Sequence, residues 1–173
     1  AMTACRQAGW VFAIALFATI LGNGPLRAGP VDAALQTQLL KIFDDYNKAI
    51  GAGKVDEALA LRSKEAQAEI KKETSDAAKR KEFLEFSTMT TPDTVTVKHS
   101  KMSEDGNTAS ILTLATKKIP ETQKDPTGPP PGSIQSAELT LEFVKEAGQW
   151  KYHEQVFGMD PSHIVACTDD KFE

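Results

Sequence analysis

The sequence predicts an α+β fold, with N-terminal helices packed on a curved antiparallel sheet of about four strands. Three observations predict it. Apolar residues recur every three or four positions from Val31 to about Phe86, as on helices. After Pro92 the period changes to two, as in strands. Turn signals, Glu104-Asp105-Gly106-Asn107 and Glu146-Ala147-Gly148-Gln149, separate the alternating runs, which therefore join as hairpins. Helices first and strands after is the order of an α+β layer pair.

The first helix is expected over Val31 to Ile50. Pro30 and Asp32 suit its start, Leu35, Leu39, Ile42, Phe43, Tyr46 and Ile50 form one stripe, and Gly51 and Gly53 end it. A second helix begins at Val55 to Leu61 and is read as continuing, thinly apolar, through Ser63 to Thr74. Ser75 is the expected N-cap of a third helix, with Ala78, Phe83, Leu84 and Phe86 on its buried side. Lys79-Arg80-Lys81 reads as the solvated face of that helix.

Thr94 to Met102 is the first strand, with Val95, Val97 and His99 expected on one face. Thr108 to Ile119 follows, with Ala109, Ile111, Thr113 and Ala115 on one face and Leu112 and Leu114 on the other. Apolar residues on both faces suit a central strand or one covered by a partner subunit. Pro120 to Gly132 holds five prolines and reads as a long, semi-rigid hairpin loop, either variable or serving as a lid or docking element. Ser136 to Phe157 closes the sheet as a hairpin. Leu139, Leu141 and Phe143 are expected to face inward with Trp150, Tyr152 and Glu154.

The ends are of a different kind. Arg6, the apolar run Gly9 to Gly22 and Leu26-Arg27-Ala28 follow the order of a secretory signal peptide, with Met2 as its start and cleavage after Ala28. The apolar run is shorter than the ~20 residues of a spanning helix, and a retained anchor is the alternative. The expected division is a leader over 1–28, one domain over 29–158 and a polar tail over 159–173. Without the leader the chain carries 18 Lys and Arg against 24 Asp and Glu, a net charge of −6. That balance speaks against general binding to nucleic acid or an anionic membrane. Cys5 falls in the leader, so Cys167 has no intrachain partner. Secretion, to the periplasm, is the expected location.

The layout resembles the nuclear transport factor 2-like superfamily, with its ketosteroid isomerase-like and SnoaL-like members and their cystatin-like cone. The carrying residues are Phe43-Asp44-Asp45-Tyr46-Asn47-Lys48-Ala49-Ile50 followed by Gly53-Lys54-Val55-Asp56-Glu57-Ala58-Leu59, then Asp105-Gly106-Asn107-Thr108-Ala109, then Phe143 to Tyr152. The resemblance covers nearly all of Val31 to Phe157. It implies a cone-shaped sheet with helices at its mouth, a central pocket, and frequent dimerisation through the outer face. The leader is similar to that of the small secreted members, many of them without known activity.

Glu154 and His99 are the candidate catalytic residues. A carboxylate and an imidazole sharing an apolar pocket suit proton transfer near neutral pH. The plainer reading, a wet rim at the strand ends, is preferred. Asp44, Asp45 and His153 read as surface residues. His163 and Cys167, four apart with Asp160, Asp169 and Asp170 nearby, are too few for a structural zinc site, which takes four ligands, so no metal is expected. No phosphate loop, HExxH, GxSxG or CxxC pair is present in the sequence. Three functions follow, in order of preference. The first is a binding domain without cofactor that holds a small apolar molecule or a peptide with Phe43, Tyr46, Phe86, Trp150 and Tyr152. The second is a cofactor-free isomerase, dehydratase or hydrolase using Glu154 and His99. The third is a homodimeric scaffold pairing through Leu112, Leu114 and Val144.

Overall fold

In the computed structural model the described residues are 28–124 and 126–157. The expected leader up to Arg27 and the tail with His163 and Cys167 lie outside them. Four helices precede four strands: α1 (Ala33–Gly51), α2 (Val55–Ala60), α3 (Lys64–Glu73), α4 (Ala77–Thr90), β1 (Thr94–Met102), β2 (Thr108–Lys118), β3 (Ile134–Glu146) and β4 (Gln149–Phe157). The strands form one antiparallel sheet in the order β1-β2-β3-β4, open at β1 and β4. No described helix is long and apolar enough to cross a membrane.

Asp32 is the cap of α1 rather than part of its first turn, since its side chain accepts from the Leu35 N–H at 2.9 Å. The stripe read along this helix is the one it buries. Leu39, Phe43, Tyr46 and Ile50 join Ile111, Leu139, Leu141, Phe143 and Tyr152 in the main core. Val55, Leu59 and Ile70 form a smaller cluster between α2 and α3, against which Phe83 and Leu84 pack.

Two helix boundaries differ from expectation. The second and third helical stretches do not run on, because Ser63 caps α3 by accepting from the Ala66 N–H at 3.2 Å. The cap of α4 is Asp76 rather than Ser75, with the Lys79 N–H donating to it at 2.9 Å. Nor does α4 bury the face assigned to it. Phe83 and Leu84 are half-buried, and Phe86 is 62% exposed. The basic cluster of this helix is the solvated surface expected of it, and Arg80 pairs across to Asp56 at 3.5 Å.

The hairpin turns fall where the sequence puts them. At the β3–β4 turn Gly148 takes φ +79°, and Ala147 is also left-handed at φ +48°, the two positive angles of a tight hairpin. Asp105 ties the β1–β2 turn together. Its carboxylate accepts from the Ser103 hydroxyl and from the Asn107 N–H, and these bonds, the Ser103 one foremost, hold its pKa below the usual carboxylate range.

The register contains two β-bulges that alternation alone does not reveal. In β1 the pairing passes from Val97↔Thr113 directly to His99↔Leu112, leaving Lys98 as the extra residue. In β4 it passes from Tyr152↔Phe143 to Glu154↔Glu142, leaving His153 extra. Each bulge transfers the next residue to the other side of the sheet. Val95 and Val97 stay with the core, whereas His99 pairs with Leu112 on the far face. That far face carries a cross-strand row of polar residues in register, Lys101, Ser110, Glu142 and Glu154. The first three of these are buried.

Candidate functional site

The concave side of the sheet, beneath the helices, is where a ligand site was expected, and most of it is filled. Tyr152, 1% exposed, occupies the centre. Its ring meets Phe43 at 5.2 Å, Tyr46 at 5.2 Å and Phe143 at 5.7 Å between centroids. The first two are edge-on, the arrangement favoured by ring quadrupoles. A cavity of about 230 Å³ remains open at the mouth, between α1, α4 and β4.

Arg62 gives this cavity its character. It lies in the short link between α2 and α3, where the chain runs briefly alongside β4. The Tyr152 N–H donates to Leu61 O at 2.9 Å, and the Ser63 N–H donates to Tyr152 O at 2.9 Å. These two bonds flank Arg62 and hold its guanidinium carbon 4.3 Å from the Tyr152 ring centre and 5.1 Å from that of Tyr46, within cation–π range. Burial raises the pKa of both phenols, and the Arg62 charge opposes that rise only in part. Both tyrosines are therefore neutral ring surfaces at physiological pH and not bases.

Ser63 anchors the link. Besides capping α3, its hydroxyl lies 2.8 Å from His153 Nδ1 on the bulge of β4, and the residue is 1% exposed. Ser63→Ala removes a helix cap, worth about 1 kcal/mol, and leaves a half-buried imidazole nitrogen unpaired, worth about 1 kcal/mol more. The expected loss is about 2 kcal/mol by urea unfolding, with no gain of stability from any ligand of the mouth cavity. A variant as stable as the wild type would show that Arg62 is positioned by something other than this link.

Of the five side chains expected to hold a ligand, Tyr46, Phe86 and Tyr152 line the mouth cavity, and Phe43 and Trp150 do not. Phe43 is core. Trp150 faces the core side but sits at the hairpin end of β4, with the Lys145 ammonium 5.8 Å from its ring centre. Arg62, Asn47, Ser87 and Gln155 also line the cavity, and the sequence reading missed them. A lone arginine beside a helix-capping serine carries no local pattern that marks it.

The Glu154–His99 pair is not assembled. His99 is exposed on edge strand β1, and Glu154 lies on the opposite edge, β4, with two strands between. Three strand spacings of ~4.8 Å separate such positions by about 14 Å, beyond one water-bridged contact. The two bulges turn both His99 and Glu154 to the face away from the core, so the strand separation is what keeps them apart, and Glu154 borders the mouth cavity only from the sheet edge. His153, read as a surface residue, is instead half-buried against Ser63. Asp44 and Asp45 are on the solvent side of α1, paired with Lys48 and Lys41 at 2.5 Å. Among the described residues no group of three or more His, Cys, Asp and Glu side chains is placed to hold a metal ion. For a dimer through the outer face, Leu112 is only 4% exposed within the single chain. Leu114 and Val144 are half-buried.

No protein-family profile matches the chain, and no curated protein matches it. Among solved structures it is similar to the intermembrane-space region of the chloroplast protein ARC6, at 14% identity, over 75% of this chain and 98% of that one, with a TM-score of 0.44. It is similar also to an NTF-2 like protein of unknown function from Shewanella oneidensis, at 14% identity over 69% and 97%, TM-score 0.39. A third is the epoxide hydrolase/cyclase-like enzyme SalBIII of salinomycin pyran-ring formation, at 12% identity over 72% and 93%, TM-score 0.39. The fold of this chain is α+β, four helices followed by an open, sequentially paired antiparallel sheet of four strands.

Proposed function

We propose that the chain is a non-catalytic binding domain whose mouth cavity takes a small ring-bearing molecule with hydrogen-bonding substituents. The observation that carries this reading is the Arg62 guanidinium held over two tyrosine rings at the wall of a cavity of about 230 Å³. A cavity of ~150 Å³ accommodates benzene, so this one suits a single ring with a substituent or a fused pair. Tyr46 and Phe86 offer ring surfaces, and Asn47, Ser87 and Gln155 offer polar partners that fix orientation. The separation of Glu154 from His99 supports binding over proton transfer.

The test is a thermal-shift screen of small substituted aromatic compounds, followed by calorimetry on those that raise Tm. Arg62→Met keeps the stem and removes the charge. It is expected to weaken binding by 10-fold or more, about 1.4 kcal/mol or above, because a charged donor is lost. No compound raising Tm, or equal affinity in Arg62→Met, refutes the reading.

Export belongs to the same proposal. It is supported by the basic, apolar and small-residue order of Arg6, Gly9 to Gly22 and Ala28. N-terminal sequencing of protein recovered from the cell envelope is expected to begin at Gly29. A product retaining the apolar run, found in the cytoplasm, would refute it.

A further inference from the structure

We infer that the chain carries a second binding site, for an uncharged and largely apolar small molecule, in the groove between α4 and the proline-rich loop. This site goes beyond the mouth cavity and shares no lining residue with it. The mouth cavity is bordered by Phe83, Phe86, Ser87 and Thr90 of α4, the groove by Leu84, Glu85, Thr88 and Met89 from the adjoining flank of the same helix. The groove encloses about 860 Å³, within the ~300–1,000 Å³ of small-molecule sites.

Both walls are tied at their bases. On the sheet side the Lys117 ammonium donates to Thr91 O at 2.7 Å and to Thr88 O at 3.3 Å, fastening the end of β2 to the last turn of α4. The loop from Pro120 to Gly132 is closed at its base by Ile119 N–H donating to Ser133 O at 2.8 Å and Gly132 N–H donating to Ile119 O at 3.0 Å. Pro120, Pro126, Pro129, Pro130 and Pro131 stiffen it. A wall that is rigid before binding loses little entropy on binding.

The chemistry of the occupant follows from the lining. Ile50, Leu84, Met89, Ile119, Pro120 and Pro129 are apolar, and Met89 is 63% exposed without an occupant. The two charged groups at the groove are already engaged, Lys117 with the helix carbonyls and Glu85 with Lys81 at 3.7 Å. A charged ligand would lose hydration there and would meet only Lys117, whose ammonium is turned to the helix carbonyls, whereas a neutral apolar one loses nothing polar. Gly51 lines the groove and has no heavy atom within 4 Å of where a Cβ would stand, so a side chain begun there meets open space.

The experiment is a fluorescence titration of the full chain with Nile red, a neutral apolar dye, with displacement by 1-dodecanol and by dodecanoate below their micelle concentrations. Saturable, blue-shifted binding is expected, displaced by dodecanol at concentrations at least 10-fold lower than by dodecanoate. Gly51→Leu, which adds bulk at the groove wall, and Met89→Lys, which places a charge in it, are each expected to weaken dye binding 10-fold or more. Gly51→Ala should change it less than threefold, and Arg62→Met should leave it unaltered. Circular dichroism checks that each variant is folded. Absence of saturable binding, equal displacement by dodecanoate, or dye affinity lost in Arg62→Met but kept in Gly51→Leu would each overturn the proposal. The last of these would place the dye in the mouth cavity instead.

Discussion

Replacing Tyr152 by Ala is expected to destabilise the fold by about 3–5 kcal/mol, the range for deleting a large buried aromatic side chain. Tyr152 is 1% exposed and is the point where four parts of the molecule meet. Phe43 and Tyr46 reach it from α1, Phe143 from β3 and Arg62 from the α2–α3 link. Deleting the ring removes three aromatic contacts of ~0.5–1.5 kcal/mol each, beyond the area buried, and leaves the Arg62 charge without the surface that supports it. Tyr152→Phe separates ring from hydroxyl. The hydroxyl donates to Gln155 Oε1 at 3.3 Å and is also hydrogen-bonded by Arg62, and its loss costs about 1–2 kcal/mol. Urea unfolding reads both, as a lower midpoint at unchanged slope. Should Tyr152→Phe cost as much as Tyr152→Ala, the hydroxyl and not the packing would be the organising group. An alanine variant within about 1 kcal/mol of wild type would mean that the helices are held elsewhere.

The same residue shows what the sequence makes legible. The period-two alternation in β3 and β4 puts Leu139, Leu141, Phe143, Trp150 and Tyr152 on one face, and the 3.6-residue stripe of α1 puts Leu39, Phe43 and Tyr46 against it. Both sets meet as read, because burial of one face imposes its period on the residues that fill it. The misread positions lie where an extra residue resets that period. Lys98 and His153 occupy bulges, and nothing in a strand of nine residues distinguishes a bulged residue from a paired one. His99 and Glu154 accordingly both go to the far face, and the expected acid–base pair dissolves because they stand on opposite edge strands. Phe86 fails for a different reason. It was assigned to a buried stripe on helical spacing, but spacing states only which residues share a face, not whether anything covers that face. On α4 the partners are a cavity on one flank and a groove on the other. Arg62 was illegible because its role is made by two long-range backbone bonds, from Leu61 and Ser63 to Tyr152.

Phe43→Ala is expected to cost about 3–5 kcal/mol as well, and the variant decides whether the hollow beneath the helices is core or ligand site. Phe43 is 3% exposed and meets Tyr152 edge-on at 78° between ring planes. Its removal leaves a void beside Tyr152 in the main core cluster, and an apolar void accepts a molecule such as benzene. Benzene at about 10 times its dissociation constant should then restore roughly 1.4 kcal/mol to the variant, by binding the folded chain alone. The wild type should gain less by that 1.4 kcal/mol, because its interior is occupied, its mouth cavity is edged by the polar groups of Asn47, Ser87 and Gln155, and any benzene in the groove beside α4 stabilises both proteins alike. A double-mutant cycle of Phe43→Ala with Tyr152→Ala should give a coupling of about 0.5–1.5 kcal/mol, since each removes one partner of the same contact. If benzene stabilised the wild type as much as the variant, the interior would hold a ligand-sized space after all, and Phe43 and Tyr152 would move from the core back to the ligand site.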